Sequence, residues 1–470
     1  MVFSSLEFMF LYFPVVLLLY FITPLKWRNV TLFLTSLIFY GWGEPAYVFL
    51  MLFTITVDYF LGFMVGKYRE TNRRRAKGYM IAAIVNNLAI LGFFKYANLA
   101  LDTLAALTGA KLAHLNVALP VGISFYTFQA LSYVIDVYRM DASAQKNYTA
   151  FGTYVTLFPQ LIAGPIVRYQ DVDDQLRSRN HSAQLFASGV RTLAAGMGKK
   201  VLLANAAGES WTRISEAPET TVAAAWLGII MYTFQIYFDF SGYSVMAIGL
   251  GKMMGFSFRE NFYYPYMANS VTDFWRRWHI SLSTWFREYV YIPLGGNRRG
   301  RGRQILNLLA VWFLTGLWHG ASWNFVLWGL YYFVLLMLEK TFLLKLLDKL
   351  PRFISHVYTL ITVVFGWLLF VSTDFAAGLN YLATMFGFGR ATAFIDAGGA
   401  FDWISSLILL SILVIASTPY PKKLLYKLWE KYDAPVRAVT AISLVMMILI
   451  LISIAVMYLF SDGVGEEMIV

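Results

Sequence analysis

The feature that most constrains this chain is a succession of apolar segments separated by short basic loops. A helix that crosses a bilayer needs about 20 mostly apolar residues. Candidate segments lie at 8–23, 29–42 (short), 46–66, 79–97, 118–137, 221–240, 304–320, 323–339, 353–372, 402–418 and 438–460, with weaker ones at 147–166, 184–207 and 241–256. That pattern gives about ten to fourteen segments, some of them re-entrant. Of the 470 residues 59% are hydrophobic and 14% charged, against roughly 25% charged in soluble proteins. A soluble fold of this size would lack the polar surface to cover such a core. The sequence therefore predicts an all-α polytopic membrane protein. It forms one membrane domain over 1–470, with N-terminal spans in 1–140, a core at about 150–340 and C-terminal spans in 353–460.

Charge sets the expected orientation. Lys26 and Arg28 follow the first apolar segment, and a run from Lys67 to Lys77 follows the third. Arg298, Arg299, Arg301 and Arg303 precede 304–320, while Lys340, Lys345, Lys349 and Arg352 precede 353–372. Lys422, Lys423, Lys427 and Lys431 precede 438–460. All five groups fall on one side if the N-terminus is outside, which makes these loops cytoplasmic. The acidic tail, with Asp462, Glu466 and Glu467, then lies outside. The net charge of +11 is confined to such loops, so membrane lipids rather than nucleic acid are its expected partners. No basic residue precedes the first segment and no small-residue cleavage site follows it, so it reads as a retained anchor. With no cysteine, disulfides, thiolate nucleophiles and Cys-ligated metals are excluded.

Two of the five histidines stand out. His114 and His181 sit in polar connecting sequence, where solvation is expected, and His356 lies beside Arg352 near a helix start. His319 lies in VWFLTGLWHGASWNF, about fifteen residues into 304–320, or roughly 22 Å from its start at 1.5 Å per residue. Trp312, Thr315 and His319 share a helical face, and Gly316 and Gly320 permit close approach of a backbone or substrate. An ionisable residue at such depth is a functional candidate; the alternative is a neutral histidine bridging helices. His279 lies in VTDFWRRWHISLSTWFREYVYIPLGG, too charged to span. There Trp275, Trp278, Leu282, Trp285 and Tyr289 form one helical stripe, with Arg276, Ser283 and Arg287 on a neighbouring polar face. That pattern predicts an interfacial or re-entrant amphipathic helix, on which His279 is either functional or incidental. Gln235, Asp239 and Ser241 in YTFQIYFDFSGYS, and Gln129 and Asp136 in 119–139, put polar groups in apolar context, where gluing helices together is the plainer role. No His-x-x-His, HExxH or GxSxG pattern occurs, so no metal site and no serine triad are expected.

Taken together, FWRRWHISLSTWFREYVYIPLGG, the span around WHGASWNFVLWG, YFDFSGYSVMAIGLGKMMGF and ENFYYPY resemble the membrane-bound O-acyltransferase family. The opening MVFSSLEFMFLYFPVVLLLYF and LFPQLIAGPIVRY are similar to its bacterial branch that O-acetylates exopolysaccharide. The resemblance implies a ring of tilted helices around a central tunnel, with re-entrant or interfacial helices. It equates His319 with the family's near-invariant histidine and His279 with its more variable second position. It also implies an acyl donor, acetyl-CoA, arriving from the cytoplasm, and no bound cofactor. It places the chain in the bacterial inner membrane, and the acceptor is an extracytoplasmic polysaccharide such as alginate, reached through an extracytoplasmic SGNH-hydrolase-like partner. On this reading His319 is the general base and His279 orients substrate or polarises the carbonyl. Trp318, Asn324, Trp312, Thr315 and Asp239 shape the substrate site, and Arg276, Arg287 and Lys252 meet a phosphate-rich donor or lipid headgroups. A D-alanyl transferase of the teichoic-acid type, a transporter or flippase, and a non-catalytic scaffold are the competing readings. The chain has no internal repeat of the kind transporters often carry.

Overall fold

A computed structural model describes residues 2–162 and 164–424 together with Lys427. The expected span 438–460, Lys431 and the acidic tail lie outside the described residues. Among the described residues the chain forms seventeen helices of seven or more residues. They are α1 (Glu7–Ile22), α2 (Arg28–Gly43), α3 (Tyr47–Tyr68), α4 (Arg73–Thr108), α5 (Ile123–Arg139), α6 (Tyr148–Thr156), α7 (Tyr169–Arg177), α8 (Ala183–Gly198) and α9 (Asn205–Glu216). After them come α10 (Val222–Met253), α11 (Val271–Arg277), α12 (Ile280–Phe286), α13 (Gly300–His319), α14 (Trp323–Leu338), α15 (Arg352–Val371), α16 (Phe375–Met385) and α17 (Ala397–Ala416). Among the described residues the only β pairing is an isolated bridge between Thr220 and Ala391.

Five of these helices, α3, α4, α10, α15 and α17, are long and apolar enough to cross a membrane. The other apolar segments within the described residues also form helices over at least part of their length, but several are short: α2 and α14 have 16 residues and α5 has 17. At 1.5 Å per residue these fall below a hydrocarbon core of about 30 Å. The two segments expected at 221–240 and 241–256 are one continuous helix of 32 residues. The polar stretch between them does not break it: Asp239 pairs with Lys200, and the helix packs closely at Gly242, where a Cβ would lie 2.9 Å from the Gly196 carbonyl oxygen and 3.0 Å from the Lys200 nitrogen. Helix ends follow local chemistry. Asn72 caps α4 by accepting from the Arg75 amide and Asp396 caps α17 through the Gly399 amide, each cap worth about 1 kcal/mol.

The chain divides into two compact units. The first comprises 1–193, 244–259 and 287–289. Inside it α3 and α4 are joined by the buried Asp58 carboxylate, which accepts from the Asn87 amide at 2.7 and 2.9 Å. A buried ionic knot closes around Arg168, which donates to both Asp171 oxygens at 3.0 and 3.1 Å and to Glu288. The second comprises 194–243, 260–286 and 290–470. Its core is aromatic, built on buried Trp275, Trp278, Trp312, Trp328, Trp367 and Tyr332. Aromatic side chains bury large areas and pack edge to face, as Trp275 does against Trp312 at 4.8 Å and Tyr332 at 4.8 Å.

Candidate active site

The stretch 271–289 does not form the single amphipathic helix its stripe predicts. The helix breaks after Arg277: Trp278 is extended at φ −100°, ψ 130°, and His279 sits in the left-handed region at φ 43°. That conformation costs a non-glycine residue about 1–3 kcal/mol and persists only where neighbours enforce it. Asn261 does so. Its carbonyl oxygen accepts from the Ile280 amide at 2.9 Å, and its side-chain Oδ1 accepts from the Ser281 amide at 3.0 Å and the Ser281 hydroxyl at 2.9 Å. Trp275, Trp278, Leu282, Trp285 and Tyr289 are all buried on protein, so the stripe faces the core on both sides of the break. Arg276, Ser283 and Arg287 are exposed, as the neighbouring polar face requires.

The N-terminus of α11 is fixed by a residue that sequence reading missed. Glu339 is 1% exposed, and its carboxylate accepts from the Val271 and Thr272 amides at 2.7 Å each and from the Thr272 hydroxyl at 2.6 Å. A carboxylate on the first amides of a helix satisfies orphan donors and opposes the positive end of the helix dipole. Ser270 adds a side-chain cap to the Asp273 amide.

His279 is itself buried. Its Nδ1 lies 3.2 Å from Asn261 Oδ1. The Ser281 amide can only donate, so the Asn261 atom facing it is oxygen, and Nδ1 therefore carries the hydrogen. The lone pair is then on Nε2, a buried nitrogen with no hydrogen-bond partner among the described residues. Burial also drives this imidazole below its ordinary pKa, which keeps the ring neutral. Phe240 packs against its edge at 4.7 Å.

His319 is the last residue of α13, where Gly320 turns extended and Ser322 caps α14. The two helices lie close: a Cβ on Gly316 would meet the Phe325 carbonyl oxygen at 2.4 Å, and one on Gly329 the Trp312 carbonyl oxygen at 2.3 Å. The close backbone approach expected at Gly316 is thus α14 itself, while a Cβ on Gly320 would meet the Phe325 ring at 2.2 Å. The half-buried His319 ring is surrounded by Trp318 and Trp328, each at 4.9 Å, and Phe370 at 5.2 Å. Trp318 also meets His279, ring centroids 5.9 Å apart. One indole therefore touches both imidazoles, and their separation is at most the sum of its two distances.

The remaining candidates separate. Trp312 and Thr315 share the His319 face and are buried, Trp312 against Trp275 and Thr315 with its hydroxyl on the Val311 carbonyl. Asn324 donates from its amide to the Leu369 and Ser372 carbonyls at 2.6 and 2.8 Å, bracing α14 against the end of α15. Asp239 is buried and pairs with Lys200 at 2.5 Å. Arg287 belongs to the first unit and pairs with Glu288. His114 is exposed and pairs with Asp102, and His356 Nδ1 donates to the Ala268 carbonyl. His181, expected in solvent, is half-buried against Tyr20 and Arg28. Among the described residues no group of three or more His, Asp or Glu side chains converges to hold a metal.

Comparison with known proteins bears on this site. The family model for the membrane-bound O-acyltransferase family matches residues 141–381, a range that contains both histidines. The "Probable alginate O-acetylase AlgI" of Azotobacter vinelandii is 40% identical over 396 residues, covering 83% of this chain and 79% of that protein. The protein of the same description from Pseudomonas aeruginosa is 40% identical, covering 83% and 75%. A "Peptidoglycan O-acetyltransferase" of Helicobacter pylori is 31% identical over 423 residues, covering 82% and 80%.

Proposed function

The chain belongs to the membrane-bound O-acyltransferase family, an integral membrane enzyme of the acyltransferase class, and from that premise we propose that it O-acetylates an extracytoplasmic polysaccharide such as alginate. The observation that carries the reading is the meeting of His279 and His319 on the Trp318 ring, each at a break in its helix. The names of the most similar relatives support acetyl as the group and a glycan as the destination. The donor is acetyl-CoA, presented from the cytoplasm, with the N-terminus outside and the bacterial inner membrane as the site of action.

His319 acts as general base. Its imidazole takes the proton of the acceptor hydroxyl as that oxygen attacks the acetyl carbonyl. The C–S bond then breaks, and the departing thiolate takes the proton back from the imidazolium. An imidazole, with an unperturbed pKa near 6.5, is suited to both transfers at neutral pH. His279 orients the acceptor: with hydrogen on Nδ1, its Nε2 accepts from a hydroxyl, so of its two candidate roles orientation fits and carbonyl polarisation, which needs a donor, does not. Trp318 is the wall between the two rings; Trp312 and Thr315 lie on the His319 face of α13, Asn324 braces α14 against the end of α15, and Asp239 pairs with Lys200. Arg276, exposed on α11, contacts lipid headgroups or the donor's phosphates, as does Arg287. The hydroxyl belongs to the glycan or to a serine of an SGNH-hydrolase-like partner that passes the acetyl group on.

The test is His319→Ala, with membrane insertion and protein level matched to the parent. Loss of a general base costs about 10²–10⁴-fold in rate, and polysaccharide acetylation is expected to fall by that factor. Acetylation at the parental level in a correctly inserted variant refutes the assignment. D-alanylation of a teichoic acid in place of acetylation refutes the acyl group.

A further inference from the structure

A pocket in the first unit is suited to an anion. It encloses about 340 Å³ between Phe21, His181, Ser182, Phe186, Lys252 and Gly255. Its polar lining is His181, Ser182 and the cation Lys252, and Arg28 and Arg179 stand behind it. Arg28 Nη1 lies 3.0 Å from His181 Nε2, and Arg179 Nε donates to the Tyr20 hydroxyl at 3.2 Å, which in turn lies 2.8 Å from the same His181 nitrogen. Lys252 reaches Thr192 Oγ1 at 3.4 Å. Arg28 can only donate, so His181 is neutral and presents its lone pair to it; burial and the two guanidinium groups hold that imidazole below its ordinary pKa. The charge of the cluster therefore comes from Arg28, Arg179 and Lys252. All three are half-buried, and among the described residues none pairs with a carboxylate. Their fixed partners are neutral: the Thr23 carbonyl for Arg28, and Asn29 Oδ1 and the Gln175 carbonyl for Arg179. Three partly desolvated cations without a counter-ion give this side of the unit a positive field that favours an anion in the pocket.

The surroundings say what carries the anion. The pocket opens beside the end of α1, whose Leu18, Leu19, Phe21 and Ile22 are exposed apolar side chains, followed by exposed Leu25 and Trp27 around Lys26. An apolar helix that ends in aromatic and basic residues marks the headgroup level of a bilayer. Phe21 and Phe186 stand edge to face at 5.8 Å and give the pocket a wall fit for the apolar part of an amphiphile. Ser182 caps α8 by accepting from the Leu185 amide at 3.0 Å, so the positive end of a 16-residue helix adds to the field. Gly255, at φ 84°, keeps the floor open: a Cβ there would lie 3.1 Å from His181 Nε2.

We propose that this pocket binds the phosphate of an anionic phospholipid, with Lys252 on the phosphate, Arg28 and Arg179 supplying positive field from behind His181, and Phe21 and Phe186 along the glycerol and upper acyl chains. The proposal is independent of the acetyl-transfer assignment. The test measures equilibrium binding of dioctanoyl phosphatidylglycerol and dioctanoyl phosphatidylcholine to the purified full chain in neutral detergent, by thermophoresis. Parental protein is expected to bind phosphatidylglycerol at least ten-fold tighter, with the preference shrinking as salt rises. Arg28→Gln/Lys252→Gln is expected to abolish the preference. Lys252→Gln alone, which removes one long hydrogen bond and no packed ring, is expected to reduce it several-fold and serves if the double variant fails to fold. Equal affinity for the two lipids in parental protein, or an undiminished preference in the folded variants, overturns the proposal. Competition by inorganic phosphate at concentrations no higher than those of the lipid also overturns it, in favour of a soluble phosphate ester.

Discussion

The two histidine corners are held in different ways. At His279 the restraint is polar and directional: a left-handed backbone, an Asn261 oxygen that accepts from Ser281 and Nδ1, and a helix start locked by Glu339. At His319 the ring sits at a helix end beside a glycine, among three aromatic rings at 4.9–5.2 Å. The hydrogen bond to Asn261 gives the His279 ring one tautomer and one tilt, and aromatic faces add position to the His319 ring without choosing its tautomer. A residue that only orients a substrate gains from rigidity. One that takes a proton and gives it back must stay aligned with two partners in turn. The contrast matches the roles assigned to each.

The largest expected effect separates the two corners directly. His319→Ala should cost about 10²–10⁴-fold in acetyl transfer as a lost base, and His279→Ala about 10–100-fold as lost orientation. Both are read as kcat/KM on membranes with equal enzyme content. If the two losses are equal, the division of labour is wrong.

Next comes Asn261, which acts through His279 and is a positioning residue. Asn261→Leu removes the acceptor for Ser281 and for Nδ1 and should cost about 10–100-fold, as a misplacement of the order of 1 Å does. Asn261→Asp keeps the acceptor and should recover most of the rate near neutral pH. Its carboxylate favours the charged imidazole, so the His279 pKa rises in that variant. Once the pH falls below that raised pKa, Nε2 is protonated and no longer accepts, and the acid limb of the pH–rate profile should move to higher pH. A profile identical to the parent's would sever Asn261 from His279.

These two corners also mark what the sequence made legible. The apolar segments of α3, α15 and α17 could be read from length and hydropathy, and the shared face of Trp312, Thr315 and His319 from spacing, because both are local properties. The break at His279 could not. The same aromatic stripe is buried before and after it, so periodicity runs through it undisturbed, and the residue that enforces it lies 18 positions upstream. Glu339 was hidden differently: beside Lys340 it reads as part of a charged helix end, and only tertiary packing turns it onto the α11 amides. The long α10 was read as two segments because Asp239 and Ser241 interrupt its apolar run, yet pairing of Asp239 with Lys200 removes the reason to break.

A smaller effect, on stability, comes from the α11 cap. Glu339→Gln keeps one acceptor but removes the charge and one of the oxygens that serve Val271 and Thr272. Leaving a buried donor unsatisfied costs about 1–3 kcal/mol. A lower thermal midpoint is expected in detergent, with the remaining activity per folded molecule changed little. An unchanged midpoint would show that Ser270 alone fixes the helix start.

The smallest effect tests the other half of the contrast. Phe370→Leu removes one of the three rings around His319 and keeps an apolar side chain of similar reach. If the ring faces act as a non-directional cage, the loss is only the aromatic preference, about 0.5–1.5 kcal/mol for a pair, and part of that is returned by the leucine. The rate should then fall by no more than about three-fold, since 1.4 kcal/mol is a factor of ten. A loss as large as that of Asn261→Leu would mean that the His319 tilt is as tightly specified as that of His279. The two corners would then differ in their surroundings but not in their rigidity, so rigidity would not separate their roles, while the assignment of His319 as base stood.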